Sequence, residues 1–274
     1  MSLSLKSMFH ERDPVAEQLP LLGSHVPIIA LTLAYLAIVL VIGPIFMRNR
    51  KPYNIKKVIL IYNFLQVIAN CFLCYLTIVT FYTHRAEVPD FGCLTKYPNS
   101  PTLEKLNIRV LYAFYLLKVI DYVETIFFVL RKSFKQVSFL HVYHHIMMST
   151  FNYYLGTYYG GMGQYASVLV LNCAVHGFMY TYYFMSALNT KMGLWWKKYI
   201  TRLQLTHFVL VLLHHSYPLI FRPQCQFPKG LLWFAVVQSF VMLYLFGKFY
   251  VRTYLRKAQK AVATDKNDKI IKTN

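Results

Sequence analysis

The chain has 274 residues, of which 57% are hydrophobic and 14% are charged, and its formal net charge is +19. The apolar residues gather in long runs, a pattern that excludes a soluble globular domain of this size. The positive charge does not indicate a nucleic-acid partner, because lysine and arginine concentrate in alternate connections between the apolar runs. We therefore predict an all-α integral membrane protein.

Seven apolar runs are long enough to be transmembrane helices, since about 20 residues cross a bilayer. The first run is too long for the apolar part of a signal peptide, a cluster of basic residues follows it, and no small-residue cleavage site is evident. We predict one membrane domain over residues 1–274 that ends in a basic cytosolic tail, 252–274. The predicted spans are about 27–46, 58–82, 110–130, 139–158, 165–186, 201–220 and 231–251.

Basic residues give the predicted orientation. Arg48, Arg50 and Lys51 follow the first span, Arg131 and Lys132 follow the third, and the connection after the fifth span and the tail are also basic. The Gly-rich connection at 160–164 has no basic residue. Because cytosolic connections carry the excess of lysine and arginine, we predict a luminal amino terminus and a cytosolic carboxyl terminus.

Two of the five cysteines lie in connections that this orientation places on the luminal side. Cys93 follows the second span and Cys225 follows the sixth. Because that compartment permits disulfides, we predict a Cys93–Cys225 bridge. Cys71, Cys74 and Cys173 lie inside spans, where packing is their expected role.

The third predicted span contains charged residues at intervals of three. Lys118, Asp121 and Glu124 lie along one slanted stripe of a helix, with Thr125 beside them. Lys118 and Asp121 are spaced to form an ion pair, which would lower the free energy needed to bury each charge. Three charges in one span still require a polar interior to face.

The fourth span begins with the most informative motif, His141-Val-Tyr-His144-His145. On an α-helix these spacings place all three rings within an arc of roughly 100°. Ionisable or polar groups at membrane depth indicate function by default. We therefore interpret this histidine box as a candidate catalytic group.

The fifth and sixth spans carry further polar residues near their predicted cytosolic ends. Asn172, His176 and Tyr180 share one helical face, and Gln204 and His207 share another. The polar groups of three spans thus converge at similar depth below a basic rim, with an apolar interior toward the lumen. Such a chamber fits an amphiphile with an anionic head and a long alkyl tail. We assign no role to His207, His214 or His215.

Three chemistries remain open from the residues alone. His141 and His145 are spaced to chelate a metal ion, as in membrane di-iron desaturases and hydroxylases, but the chain has only one such box. A seven-helix receptor or a transporter would fit the topology without explaining the imidazoles. Acyl transfer would use a neutral imidazole as the nucleophile toward a thioester.

The sequence resembles the very-long-chain fatty acid elongase (ELO) family over nearly its whole length. The family usually has the two acids of the first matching block in the opposite order, and it usually has glutamine at the position of His207. The matching blocks are Lys118-Val-Ile-Asp121-Tyr-Val-Glu124-Thr125, His141-Val-Tyr-His144-His145, Asn172-x-x-x-His176-x-x-Met179-Tyr180-x-Tyr182-Tyr183 and Thr201-x-x-Gln204-x-x-His207.

The resemblance implies a 3-oxoacyl-CoA synthase of the endoplasmic reticulum membrane, which condenses a long-chain acyl-CoA with malonyl-CoA and releases CO2 and CoA. It implies that spans two to seven form a six-helix barrel around a substrate tunnel, with the first span outside. The expected partners are acyl-CoA, malonyl-CoA, membrane lipid and other enzymes of the elongation cycle. The expected reaction requires no metal and no cofactor.

The same resemblance assigns roles to residues. His144 is expected to carry the acyl group as an acyl-imidazole, while His141, His145 and His176 orient it, move protons or stabilise the oxyanion. Asp121, Glu124, Asn172 and Tyr180 are also assigned to the substrate site. The residues expected to hold the CoA portion are Lys118, Arg131, Gln136, His141, Tyr182, Lys197, Thr201 and Gln204.

Overall fold

The computed structural model describes residues 12–84, 92–95, 100–188 and 195–255, except for the side chain of Trp195. Within these ranges every regular element is helical, which confirms the predicted all-α class. The helices are α1 (Pro14–Glu17), α2 (Val26–Met47), α3 (Lys56–Thr83), α4 (Pro101–Ile120), α5 (Tyr122–Leu130), α6 (Phe139–Tyr154), α7 (Ala166–Leu188), α8 (Trp195–Phe221) and α9 (Lys229–Tyr250).

Four helical stretches in the described part of the chain are long and apolar enough to cross a membrane. They are Val26–Met47, Lys56–Thr83, Gly163–Leu188 and Lys229–Leu255. Helices also occupy the other three predicted spans, but α6 has only 16 residues, the third span is divided, and α8 begins with several basic residues. The arrangement of seven spans therefore stays a prediction.

The third predicted span, 110–130, is wrong in its start and in its continuity. Its helix begins at Pro101, because proline is favoured in the first turn, where its missing N–H is not needed. The helix is then interrupted at Asp121, where the Glu124 amide donates to the Asp121 carbonyl at 3.2 Å, one residue closer in sequence than the α-helical pattern. Hydropathy alone detected only the apolar part of this segment.

α3 has its polar face inside and its apolar face outside. Asn63, Gln66 and Asn70, spaced at three and four residues, are at most 3% exposed. On the opposite face, Ile61 and Phe72 are 62% and 58% exposed. This inversion of the usual pattern is typical of a helix that faces lipid outward and a polar interior inward.

The helices surround these inward faces. α3 packs along α7, α7 along α8, α8 along α9, and α4 against α6. Contact between α6 and α9 comes from Tyr143, whose hydroxyl donates to Gln238 Oε1 at 2.7 Å, and from Phe151 and Phe234, whose rings stack at 4.3 Å. Polar residues of α3, α4, α6 and α7 consequently meet in one interior.

The first long helix, α2, packs against α5 and α6. Close approach to α5 requires a glycine at position 43, because a Cβ there would lie 2.5 Å from Val129 Cγ1. Tyr35 of α2 stacks on Tyr122 of α5 with ring centroids 4.1 Å apart. Most of the remaining surface of α2 is exposed apolar side chains, which places this helix at the periphery.

The predicted Cys93–Cys225 disulfide is present, with the two Cα atoms 5.7 Å apart. It joins the segment after α3 to the connection between α8 and α9. Cys71, Cys74 and Cys173 have free thiols, as expected for residues inside spans. The bridge therefore ties together two connections that are 132 residues apart in the sequence.

Replacement of Cys93 by serine should lower the free energy of unfolding by roughly 2–5 kcal/mol, because the bridge closes a long loop in the unfolded chain. The melting temperature of the purified protein in detergent, without reductant, measures this loss. Cys225→Ser and the double variant should lose the same amount, and Cys71→Ala serves as the control. A double variant that loses clearly more than either single variant, or a non-reducing digest with both thiols free, would contradict the bridge.

Candidate active site

The histidine box occupies the first two turns of α6. Ser138 caps this helix, and its hydroxyl accepts a hydrogen bond from the His141 amide at 3.3 Å. The ring centroids of His141 and His145 are 4.2 Å apart, and those of His144 and His145 are 5.9 Å apart. The cap thus sets the start of the helix so that all three rings lie together on its inward side.

The fourth predicted catalytic histidine, His176, reaches the same place from α7. Its ring centroid lies 6.3 Å from that of His144, and its Nδ1 lies 3.9 Å from Asp121 Oδ2. The Nδ1 atoms of His144 and His176 are buried and have no hydrogen-bond partner among the described residues. Two imidazoles on different helices therefore present a ring nitrogen to a shared interior.

A buried ion pair lies beside the histidines. Lys118 Nζ donates to Asp121 Oδ2 at 2.9 Å, as its spacing predicted, and to Asn172 Oδ1 at 3.0 Å. Lys118 and Asp121 are each 1% exposed. Each charge is thus paired and hydrogen-bonded, which is the condition under which ions are retained in an interior. The pair links α4 to α7 and sets the electrostatic potential near the imidazoles.

Residues of α3 complete this polar network, and the sequence analysis missed them. Gln66 Nε2 donates to Asp121 Oδ1 at 2.8 Å and to the Tyr62 hydroxyl at 2.9 Å. Tyr180 donates to Asp121 Oδ1 at 3.2 Å and to Glu124 Oε2 at 3.4 Å. The polar stripe on α3, at helical spacing within an apolar run, is the signal that would have identified Gln66.

One group of side chains in the described ranges has the proximity of metal ligands. A carboxylate oxygen of Glu124 and one ring nitrogen each of His141 and His145 lie within 4.8 Å of one another. The group has three members, enough to hold one ion with an open position. It does not supply ligands for two ions, which a di-iron centre would need.

A small cavity of about 40 Å³ adjoins His144 and Asn172. His207 also lines it, and its Nε2 is buried without a hydrogen-bond partner within the described segments. His207 therefore lines the same cavity as His144. The sequence did not indicate this, because the family usually has glutamine at this position. The rest of the lining is mostly apolar and consists of Met147, Met148, Tyr165, Val168, Phe208, Val211, Phe234, Ala235, Gln238, Ser239 and Met242.

A larger cavity of about 450 Å³ lies between α3, α5, α7 and the segment that follows α5. Glu124, Arg131 and Gln136 line it, together with Lys56. Arg131 and Gln136, two of the residues that the resemblance assigns to CoA, thus line one cavity. Glu124 contacts both this cavity and the Tyr180 hydroxyl, so this carboxylate connects the cavity wall to the buried network.

The other residues expected to hold CoA lie elsewhere. Thr201 donates to the Lys197 carbonyl at 3.2 Å, and Gln204 Nε2 donates to Met179 Sδ at 3.7 Å. Lys197 is exposed, whereas Thr201 and Tyr182 are buried. The lining of the larger cavity, so far as the described residues show it, contains none of these four. The structure therefore does not bring all the expected CoA residues to one cavity, since Lys118 and His141 belong to the buried network and only Arg131 and Gln136 line the larger cavity.

Comparison with known proteins identifies the family of the chain. A family model described as ELO, the GNS1/SUR4 family, matches residues 20–262. The chain is 36% identical to "Very long chain fatty acid elongase 7" of Drosophila melanogaster, over 94% of this chain and 78% of that protein. It is 35% identical to "Very long chain fatty acid elongase F" of the same species, over 95% and 100% respectively. It is 34% identical to "Very long chain fatty acid elongase 1" of Mus musculus, over 95% of this chain and 94% of that protein.

The family match covers most of the chain, and four helical stretches in the described ranges are long and apolar enough to cross a membrane. The apolar surfaces of these helices and the polar interior between them describe a multi-pass membrane protein. With relatives above 30% identity over almost the whole chain, the protein belongs to the ELO family of fatty acid elongases.

Proposed function

We propose that the protein is a very-long-chain 3-oxoacyl-CoA synthase, the condensing enzyme of fatty acid elongation. It would join a long-chain acyl-CoA to malonyl-CoA, with release of CO2 and CoA. The observation that carries the proposal is the pair His144 and His176, which present unpartnered ring nitrogens to one buried interior beside the Lys118–Asp121 pair. The names of the relatives support the same reaction class.

In the first half-reaction, a ring nitrogen of His144 attacks the thioester carbonyl of the acyl-CoA. The tetrahedral oxyanion collapses, the C–S bond breaks, CoA leaves as the thiol, and the acyl group remains as an acyl-imidazole. His141, His145 and His176 orient the ring, transfer protons and stabilise the oxyanion. Lys118 supplies a fixed positive charge nearby, and its pairing with Asp121 keeps that charge in place.

In the second half-reaction, malonyl-CoA enters and loses CO2, and the electron pair of the broken C–C bond forms a carbanion equivalent. This carbon attacks the acyl-imidazole carbonyl, the new C–C bond forms and the C–N bond to His144 breaks. The His144 ring leaves as neutral imidazole because it takes up one proton, delivered by a neighbouring histidine and replaced from water. No metal and no cofactor takes part in this scheme.

The two cavities support a division of the substrate. The larger one has Arg131, Gln136 and Lys56 on its wall, and basic side chains suit the phosphates of CoA. The smaller one adjoins His144 and has a mostly apolar lining, which suits the first carbons of an alkyl chain. Contacts around α3, α4, α6, α9, α8 and α7 support a six-helix barrel that encloses both, with α2 outside.

Localisation is part of the proposal. The basic connections alternate along the chain, and the disulfide joins two connections on the less basic side. We therefore infer a luminal amino terminus and a cytosolic carboxyl terminus in the endoplasmic reticulum membrane. The other enzymes of the elongation cycle would supply the acyl-CoA and reduce the 3-oxoacyl product.

The direct test is condensation by the purified protein. Incubation with a long-chain acyl-CoA and malonyl-CoA should yield a 3-oxoacyl-CoA two carbons longer, detected by mass spectrometry. A panel of saturated and polyunsaturated acyl-CoAs would then define the preferred chain. Absence of any 3-oxo product across the panel, from protein that melts cooperatively, would contradict the proposal.

A metal-dependent oxidation is the second candidate, and the Glu124–His141–His145 group is the observation that favours it. Metal analysis of the same purified sample separates the two. The condensing enzyme should contain less than stoichiometric metal and should keep its activity after treatment with a chelator. Stoichiometric iron, with loss of activity on chelation, would support the oxidation instead.

A further inference from the structure

A chain of hydroxyl groups leads from the peripheral helix α2 to the histidine box. The Tyr35 hydroxyl lies 2.9 Å from Thr125 Oγ1, and Thr125 Oγ1 lies 2.9 Å from His141 Nε2. Tyr35 is 3% exposed and Thr125 is fully buried. A residue of the helix that lies outside the proposed barrel is therefore only one side chain away from the proposed catalytic group.

The available donors and acceptors favour one direction of hydrogen-bond donation along these hydroxyl groups. If Tyr35 donates to Thr125 and Thr125 donates to His141 Nε2, both hydroxyl protons have acceptors. The opposite direction would leave the Tyr35 proton at the end of a buried chain. The favoured direction makes Nε2 an acceptor and places the single proton of neutral His141 on Nδ1, because each hydrogen bond sets the tautomer of the ring.

The ring of Tyr35 is itself held in place. It stacks on Tyr122 at 4.1 Å between centroids, and the Tyr122 hydroxyl hydrogen-bonds Ser149, which lies on the same helix as the histidine box. The Tyr35 hydroxyl is thus aimed at Thr125 by contacts with two helices. A donor that is rigid before the reaction loses little entropy when it holds its partner.

We infer that Tyr35 is a positioning residue for acyl transfer: through Thr125 it fixes the ring orientation and the tautomer of His141. Since the His141 ring lies 4.2 Å from that of His145, it also supports the rest of the box. The inference rests on the proposed function. It gives α2, which lies outside the proposed barrel, a part in positioning the catalytic histidines.

Tyr35→Phe tests the inference, because it removes the hydroxyl and keeps the stacked ring. We expect kcat for condensation to fall about tenfold, since Thr125 loses the hydrogen bond that orients its hydroxyl toward His141. The KM for acyl-CoA should change by less than about twofold, because Tyr35 itself contacts no substrate in the proposed site. Thr125→Val should have a similar effect, and Thr125→Ser, which keeps the hydroxyl, should retain kcat.

A double-mutant cycle separates positioning from general stability. If the two hydroxyls act in one chain, Tyr35→Phe combined with Thr125→Val should lower kcat no further than Thr125→Val alone. Tyr153→Phe is the matched control, because its buried hydroxyl donates to the Ser24 carbonyl at 2.9 Å, away from His141. Its kcat should equal that of the wild type even where its melting temperature falls as much as that of Tyr35→Phe.

The outcomes are distinct. A wild-type protein that forms no 3-oxoacyl-CoA would overturn the proposed function. An active wild type with a Tyr35→Phe variant of unchanged kcat, or with additive effects in the cycle, would overturn the positioning role alone. If Tyr35→Phe does not fold, the comparison of Thr125→Ser with Thr125→Val decides, because equal kcat in these two would exclude the hydroxyl chain.

Discussion

His144→Ala should form no acyl-enzyme and should lower kcat for condensation by at least roughly a thousandfold, because the nucleophile is lost and no neighbouring group forms the same bond. After incubation with acyl-CoA alone, the intact wild-type protein should gain the mass of one acyl group. The His144→Ala variant should keep its unmodified mass under the same conditions. Intact-protein mass spectrometry measures both.

A histidine outside the chamber provides the control for this measurement. His214 lies on α8, where its Nδ1 is 2.9 Å from Ser167 Oγ, and no role in the reaction is proposed for it. His214→Gln should form the adduct at the wild-type rate. An acyl adduct of unchanged yield on His144→Ala, or none on the wild type, would contradict covalent catalysis by His144.

Removal of the Asp121 carboxylate should produce the largest loss of stability. In Asp121→Ala, Lys118 would remain buried without its counter-ion, and removing one partner of a buried ion pair costs about 3–5 kcal/mol. Gln66 and Tyr180 would also lose their shared acceptor. The melting temperature of the detergent-solubilised protein, measured by a thermal shift assay, should fall by several degrees or the variant should fail to accumulate.

Replacing both Lys118 and Asp121 separates the effect of an unpaired charge on stability from the effect of lost packing. Lys118→Met combined with Asp121→Leu replaces the ion pair with apolar side chains of similar size, a change that is often neutral for stability. This variant should recover most of the melting temperature and remain inactive. A melting temperature of Asp121→Ala equal to that of the wild type would show that the pair does not contribute to the fold.

The helices were predictable because their determinants are local. Hydropathy over about 20 residues detects a span regardless of what it packs against, and the predicted boundaries agree closely with α2, α3, α7 and α9. The spacing of His141, His144 and His145 defines one helical face, and Lys118 and Asp121, three residues apart, are neighbours on one helix. The disulfide followed from the side of the membrane assigned to each connection.

Other features of the site depend on distances between helices, which no local pattern contains. Gln66 contacts Asp121 and Tyr35 contacts Thr125 across 55 and 90 residues of sequence. The spacing of residues likewise did not show that the helix is interrupted at Asp121. It also did not show that Arg131 and Gln136 line a cavity whose described lining does not include Thr201.

The sequence by itself therefore determined the class of the protein, its helices and the chemical character of its interior, because hydrophobicity and helical periodicity act within one segment. Only the tertiary structure decided which side chains share a hydrogen bond, which imidazole nitrogens have no partner and which cavity each residue lines. Those properties depend on contacts of a few ångströms between distant segments, and packing alone sets such contacts.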